Sequence, residues 1–333
     1  MHIHNPLAII NLKHNLVTKH NSICSFIILG IFLFLTGCEK IDPESYLRHD
    51  SASKLNIPIS GSLQNPAFSP NGDAIVFTRF RNGYNQEPAD IIIFYLIDGN
   101  VDTLVMDGSA NVNLPGSSWN SQNGSIVFSS SRDPHDEIYL IDDNGKPGDE
   151  LQITDRSDYM AYEPTFSPDG QWIVFESHPV DVEKKGVIMK YKLDNSLTYQ
   201  ALTNEDDDCR QPNWSPSGNY ILFQKYEHRK WDIWIMKPDG SNKKMITSGE
   251  GDKTDACFTN DGEYIIYSCD SDLEFANIYK ISIEGGSSER LTNYEGYDGA
   301  PSISSDGSKL AFESYGGDPD DSDGTSIWIV EIN

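Results

Sequence analysis

The sequence predicts an all-β protein, a six-bladed β-propeller whose last blade is closed by an N-terminal strand. Three observations predict it. A turn of the type aromatic-Ser-Pro-Asp-Gly returns six times: FSPNG from Phe68, WNSQNG from Trp119, FSPDG from Phe166, WSPSG from Trp214, FTNDG from Phe258 and ISSDG from Ile303. The closing glycines stand 44 to 52 residues apart, the period of a four-stranded propeller blade. The sixth repeat stops after its third strand at Asn333, whereas Lys54 to Ile59 precede the first repeat and have no blade of their own. An open β-solenoid or two sandwiches would use the same strands, but a missing strand at one end and a spare one at the other fit a closed ring.

Before the repeats, Lys13 and Lys19 are followed by Ile23 to Leu35, apolar apart from Ser25. This stretch is short for a bilayer span and fits a signal-peptide core. It runs into Leu35-Thr36-Gly37-Cys38, which resembles the bacterial lipobox, whose cysteine is lipidated and becomes the first mature residue. The expectation is a lipoprotein signal peptide over 1–37, a lipidated tether over 38–52 and the propeller over 53–333. An apolar anchor that stays attached is the alternative. Several acyl chains on Cys38 would bind a membrane stably, where a single chain binds marginally.

The fourth repeat shows the blade most cleanly. Pro212 to Trp214 forms a short inner strand, and Ser215-Pro-Ser-Gly218 turns it, with proline at the second turn position and a glycine free to take positive φ. Tyr220 to Phe223 is a continuous apolar strand, as burial on both faces by neighbouring blades requires. Asp232 to Lys237 is the third strand and Lys244 to Thr247 the outer one. The second strand recurs as Ala74 to Phe77, Ser125 to Phe128, Trp172 to Phe175, Tyr264 to Tyr267 and Lys309 to Phe312. Without an outer strand the sixth blade exposes an edge. Lys54 to Ile59 are expected to cover it by pairing with Ile327 to Ile332.

The chain carries 25 Lys and Arg against 51 Asp and Glu, a net charge of −26. Removing residues 1–37 takes Lys13 and Lys19 away and leaves 23 basic against 51 acidic side chains, or −28. Such a surface excludes electrostatic binding of nucleic acid or anionic lipid. Cys209, Cys257 and Cys269 are odd in number and do not space as a disulfide framework. With the turn at Asn260 to Gly262, Cys257 is expected opposite Ile266, which puts Cys269 out of reach and makes all three buried free thiols.

The repeating turn, the Ile/Val-Phe strand after it, the aromatic third strand and a Leu-Thr outer strand resemble the TolB-type six-bladed propeller, or WD-like repeat, of bacterial envelope proteins. The resemblance covers residues 53–333 and implies fold more than function, because such blades also occur in prolyl-oligopeptidase-type enzymes and polysaccharide lyases. Two departures are expected: TolB carries an α/β domain before its propeller, where only residues 39–52 lie free here, and the peptidases add a hydrolase domain afterwards.

In a propeller the loops from second to third strand, and from outer strand to the next inner strand, emerge on one face, the usual binding surface. Tyr159, Tyr162, Glu163, Asp206, Asp207, Asp208, Trp231, Tyr294, Tyr297, Asp298 and Tyr315 fall there, as a tyrosine-rich, acidic rim suited to a protein, peptide or glycan partner. His135, His178 and His228 fall in the same loop set and could hold a divalent metal, but lie seven, three and five residues beyond Phe128, Phe175 and Phe223, so nothing in the spacing makes them converge. Asp318 to Gly324 lacks the first carboxylate of a calcium loop, since Pro319 stands there. No nucleophile elbow, His-Glu-x-x-His, phosphate loop or Cys-x-x-Cys is present. The resulting expectation is a monomeric, lipid-anchored, non-enzymatic binding platform of the bacterial envelope, at the periplasmic or outer-membrane surface and without a cofactor. A metal-assisted enzyme such as a polysaccharide lyase and a Tol-Pal component are the alternatives.

Overall fold

A computed structural model describes residues 48, 50–106, 108, 112–113, 119–180, 185–194, 198–271, 275–315 and 324–332. The expected signal peptide, Cys38 and most of the Asp318 to Gly324 loop lie outside the described residues. Among the described residues there is no helix.

The strands form six antiparallel four-stranded sheets. Strand β1 (Ser53–Lys54) precedes blade 1, which comprises β2 (Ser62–Phe68), β3 (Ala74–Phe80), β4 (Ala89–Tyr95) and β5 (Val101–Met106). Blade 2 comprises β6 (Val112–Asn113), β7 (Ile126–Ser130), β8 (Glu137–Ile141) and β9 (Leu151–Gln152). Blade 3 comprises β10 (Tyr159–Phe166), β11 (Trp172–Pro179), β12 (Val187–Lys192) and β13 (Tyr199–Ala201). Blade 4 comprises β14 (Asp208–Trp214), β15 (Ile221–Glu227), β16 (Lys230–Met236) and β17 (Lys244–Met245). Blade 5 comprises β18 (Lys253–Phe258), β19 (Tyr264–Cys269), β20 (Asn277–Ser282) and β21 (Glu289–Arg290). Blade 6 has β22 (Asp298–Ile303), β23 (Lys309–Ser314) and β24 (Ser326–Glu331), with β1 as its outer strand.

The recurring turn is built by its own side chains. In five of the six, the amide of the closing glycine donates to the carbonyl of the turn's Ser or Thr, as Gly170 N does to Ser167 O at 2.9 Å. The hydroxyl then accepts from the first amide of the next strand, as in Trp172 N to Ser167 Oγ at 3.0 Å and Lys309 N to Ser304 Oγ at 2.9 Å. In three of these turns it donates to the aspartate two residues on, at 2.5 Å in Ser167 to Asp169 and 2.6 Å in both Thr259 to Asp261 and Ser304 to Asp306. All six closing glycines have φ between 67° and 79°, a region that a Cβ disfavours. In the second repeat, one residue longer, Gly124 N reaches back to Asn120 O instead.

The core lies between blades. Phe77, Phe128, Phe175, Phe223 and Phe312, each at the same point of a second strand, are 0% exposed. The apolar clusters join blades 1 and 2, 2 and 3, 3 and 4, 4 and 5, 5 and 6, and finally 6 and 1. Each blade therefore buries its faces against two neighbours, and the ring closes. The Leu-Thr signature closes blades 2 to 5: Thr154, Thr203, Thr247 and Thr292 accept with Oγ1 from the amides of Ile138, Ile188, Ile233 and Ile278.

The closing strand differs in extent from the expectation. Ser53 pairs with Ile329 and Lys54 with Trp328, and Leu55 N donates to Ile327 O at 2.9 Å. Beyond Leu55 the segment leaves the sheet through two tight turns, Ile57 N to Leu55 O and Ile59 N to Ile57 O, while Leu55, Ile57 and Ile59 pack on the core between blades 6 and 1. The Ile57 amide turns back to Leu55 O instead of reaching blade 6, which ends the ladder at Leu55. Cys257 stands opposite Ile266, and Cys209, Cys257 and Cys269 are buried free thiols.

Candidate functional site

Each inner strand starts at one face of the ring and ends in the recurring turn at the other, so the second-to-third-strand loops and the inter-blade loops share the first face, the crown. Halfway along five inner strands the ladder register shifts: between Gln64 and Ala67, Tyr162 and Thr165, Arg210 and Asn213, Thr254 and Cys257, and Gly299 and Ser302. The first residue of each bulge has positive φ: Asn65 53°, Glu163 50°, Gln211 46°, Asp255 52° and Ala300 47°. In four of the five the next residue is proline, which donates nothing to the ladder.

These bulges turn toward one another. Asn65, Glu163, Gln211, Asp255 and Ala300 line a central cavity of about 30 Å³ together with Pro212, Asn213, Ala256 and Pro301. Left-handed backbone at non-glycine residues persists where the surroundings over-determine it. Here Asn65 N donates to Glu313 Oε2 at 2.9 Å, Gln211 N to Glu176 Oε2 at 3.1 Å and Asp255 N to Gln211 Oε1 at 2.9 Å. Gln211 Nε2 returns a bond to Asp255 Oδ1 at 3.0 Å.

The centre is electrostatically tense. Glu313 is 1% exposed, and burial pushes its carboxyl up to about 8, despite the bonds from Asn65 N and from Tyr297 Oη at 3.0 Å. Burial likewise raises Asp255. The Tyr84 and Tyr297 hydroxyls are pushed well up by burial and then by the Glu313 carboxylate.

Of the residues expected on the rim, Trp231, Tyr294, Tyr297 and Asp298 lie in the interior. Trp231 sits under the Arg210 guanidinium at 5.1 Å. Tyr294 donates its hydroxyl to Tyr315 O at 2.9 Å, and Asp298 binds Arg48. The loops fold inward because their polar atoms find partners there while their rings bury apolar area. Tyr159, half-buried, packs beneath Arg156 at 4.2 Å, and Tyr162 donates to Met160 Sδ at 3.1 Å. Glu163 and Tyr315 are half-buried, Glu163 in the cavity wall. Asp206 is exposed and its carbonyl takes the Lys185 ammonium.

The acids of the rim are largely neutralised locally. Asp207 pairs with Lys225 at 2.9 Å and Asp208 with Arg210 at 3.0 Å. Lys253, buried, donates Nζ to the carbonyls of Gly249, Glu250 and Gly251 at 2.9, 2.7 and 2.8 Å, so an internal ammonium organises that crown loop.

The three histidines do not assemble. His178 is buried with Nε2 2.5 Å from Glu176 Oε1, His228 is exposed at the tip of a hairpin, and His135 is half-buried in the second blade's loop. Among the described residues, no three His, Cys, Asp or Glu side chains form a group that could hold a metal.

Comparison with known proteins agrees with this architecture. A TolB from Acinetobacter baumannii superposes with a TM-score of 0.57 at 18% identity, over 82% of this chain and 64% of that one. An oligogalacturonate lyase from Vibrio parahaemolyticus gives 0.55 at 13% identity, over 83% and 80%. At these identities the likeness is one of fold alone. An Agrobacterium fabrum protein of undescribed role is 25% identical over 181 residues, 54% of this chain and 60% of that protein. The Tol-Pal system protein TolB of Francisella tularensis is 32% identical over 106 residues, 32% of this chain and 23% of that protein. The chain thus matches less than two thirds of the length of these relatives. The TolB beta propeller domain matches residues 148–318, 171 of 333. The chain belongs to the TolB beta propeller family.

Proposed function

We propose that the protein is a membrane-anchored binding platform of the bacterial cell envelope, non-enzymatic, which receives a protein, peptide or glycan partner on the crown of its propeller. The observation that carries this reading is the immobilisation of the crown loops. Trp231, Tyr294, Tyr297, Asp298 and Lys253 are spent inside the ring, holding loops from several blades in fixed positions. A surface organised in advance loses little entropy on binding. Catalysis by His135, His178 and His228 finds no support in their scattered placement.

Anchoring through Cys38 rests on its resemblance to a lipobox cysteine. A Tol-Pal role is the second reading, favoured by the match to the Francisella protein, though only 23% of that protein is covered.

Affinity capture from envelope extracts with the full chain in detergent tests the platform, with metal analysis of the same material and mass analysis of the Cys38 peptide. A specific co-purifying partner and a lipid-sized mass on Cys38 support the reading. A stoichiometric metal with no partner favours the enzyme, and recovery of a peptidoglycan-associated lipoprotein favours the Tol-Pal role.

A further inference from the structure

The hairpin joining β15 to β16 spends strain that neither the ring nor the cavity requires. Its register runs unbroken from Ile221 opposite Met236 to Glu227 opposite Lys230, leaving His228 and Arg229 as a two-residue turn. Their φ values are 54° and 68°, the left-handed pair of a type I′ turn, for which Asn-Gly is the favoured sequence. Among the described residues, the other non-glycine positive-φ positions are the five inner-strand bulges and two asparagines, Asn85 and Asn242. His228 and Arg229 alone bear larger side chains in this conformation at an exposed tip.

What the tip displays is also unusual for this molecule. Among the described residues, Arg229 is the one arginine whose guanidinium makes no hydrogen bond, ion pair or ring contact. It stands free on a chain with a net charge of −26. Two residues before the turn, Tyr226 is 45% exposed, its ring 5.2 Å from that of Trp231, which is 4% exposed and fixed by Arg210. The tip thus offers an uncommitted guanidinium and a backed aromatic ring on a rigid two-stranded support, at the crown.

We infer that this hairpin tip docks a carboxylate-bearing peptide segment of a partner protein. The guanidinium can take a carboxylate through two parallel hydrogen bonds, and the tyrosine face supplies contact area at small entropy cost. A peptide fits better than a polyanionic glycan, because the surplus acid of the body repels a uniformly charged chain along the rest of its length. The inference rests on the crown being the binding face.

The test is fluorescence anisotropy with the full chain in detergent and a capped Ser-Glu-Glu-Ser peptide bearing a neutral fluorophore, with Ser-Gln-Gln-Ser as control. The expected result is saturable binding of the glutamate peptide only, weakened at least tenfold in His228→Asn/Arg229→Gly. That variant installs the favoured turn sequence, so its melting temperature should rise. Equal binding by wild type and variant, or no binding of the glutamate peptide, overturns the inference. Tighter binding of a uronic acid tetramer, lost in the same variant, overturns the peptide assignment. If envelope capture still recovers a partner equally with wild type and double variant, the platform stands and the hairpin assignment falls; if wild type captures nothing, the platform itself falls.

Discussion

Arg48 Nη2 lies 2.8 Å from Asp298 Oδ2, and Nη1 of the same guanidinium donates to Asp298 Oδ1 at 3.0 Å. The pair joins the segment ahead of the closing strand to the inner strand of blade 6. Arg48 also donates to Ser314 Oγ at 2.9 Å and lies 4.6 Å from the ring centroids of both Tyr294 and Trp328. A two-residue outer strand would be a weak fastening by itself. The clamp reinforces it from the crown side.

Removing one partner of a buried pair leaves the other charge uncompensated. Arg48→Met should therefore destabilise the chain by about 3 kcal/mol, and Arg48→Met/Asp298→Asn by less. Urea unfolding of both variants beside wild type checks the order, which reverses if the clamp is idle.

The raised Glu313 carboxyl makes stability depend on pH. A group whose folded value lies above its unfolded one stabilises the fold fully below the unfolded value, and that contribution fades as pH rises through the folded value. For Glu313 the window runs from 4.5 to about 8. Glu313→Gln can still accept from Asn65 N but does not titrate, so the difference in melting temperature between wild type and variant should shift against wild type across this window. A constant difference contradicts the assignment.

Burial pushes the Cys209 and Cys257 thiols up to about 12. Thiolates are the reactive species, so neither cysteine should be alkylated by iodoacetamide in the native chain at neutral pH, and both should be alkylated in urea. Peptide mapping by mass spectrometry reads each site separately.

The turn hydroxyls contribute individually. Ser167→Ala deletes the acceptor for Trp172 N and the donor to Asp169, and should cost about 1 kcal/mol. Chemical denaturation measures it, and an unchanged midpoint would remove the hydroxyl from the account of the repeat.

The ring was legible in the sequence because its determinants are local. A hydroxyl and a glycine within four residues set five of the six turns, three of them with an aspartate between, and a phenylalanine at a fixed offset, Tyr267 in blade 5, enters each interface between blades. The same logic placed Cys257 opposite Ile266. The extent of the closing strand is less legible, since Lys54 to Ile59 are expected to pair as one strand although only its start hydrogen-bonds to blade 6.

The sequence shows which loops share the crown but not which of their residues are buried. Tyr294, Tyr297 and Trp231 are amphipathic, and pattern alone does not say whether such a ring faces water or folds under its own loop. The cavity wall was hidden because Asn65, Gln211, Asp255 and Ala300 share a backbone conformation rather than a chemistry. Its one sequence trace is the proline after four of the five bulge residues, two or three positions ahead of the recurring turn. Arg48 has no counterpart in the other repeats, so no periodicity pointed to it.

Site-specific photo-cross-linking in intact envelopes tests the platform most directly. A photoreactive residue is placed at Tyr226 on the crown and, in a second version, at exposed Ser217 in the turn on the opposite face. Discrete adducts from position 226 and none from 217 are the predicted result. Adducts from 217 alone, or from neither position, would contradict a partner-binding crown.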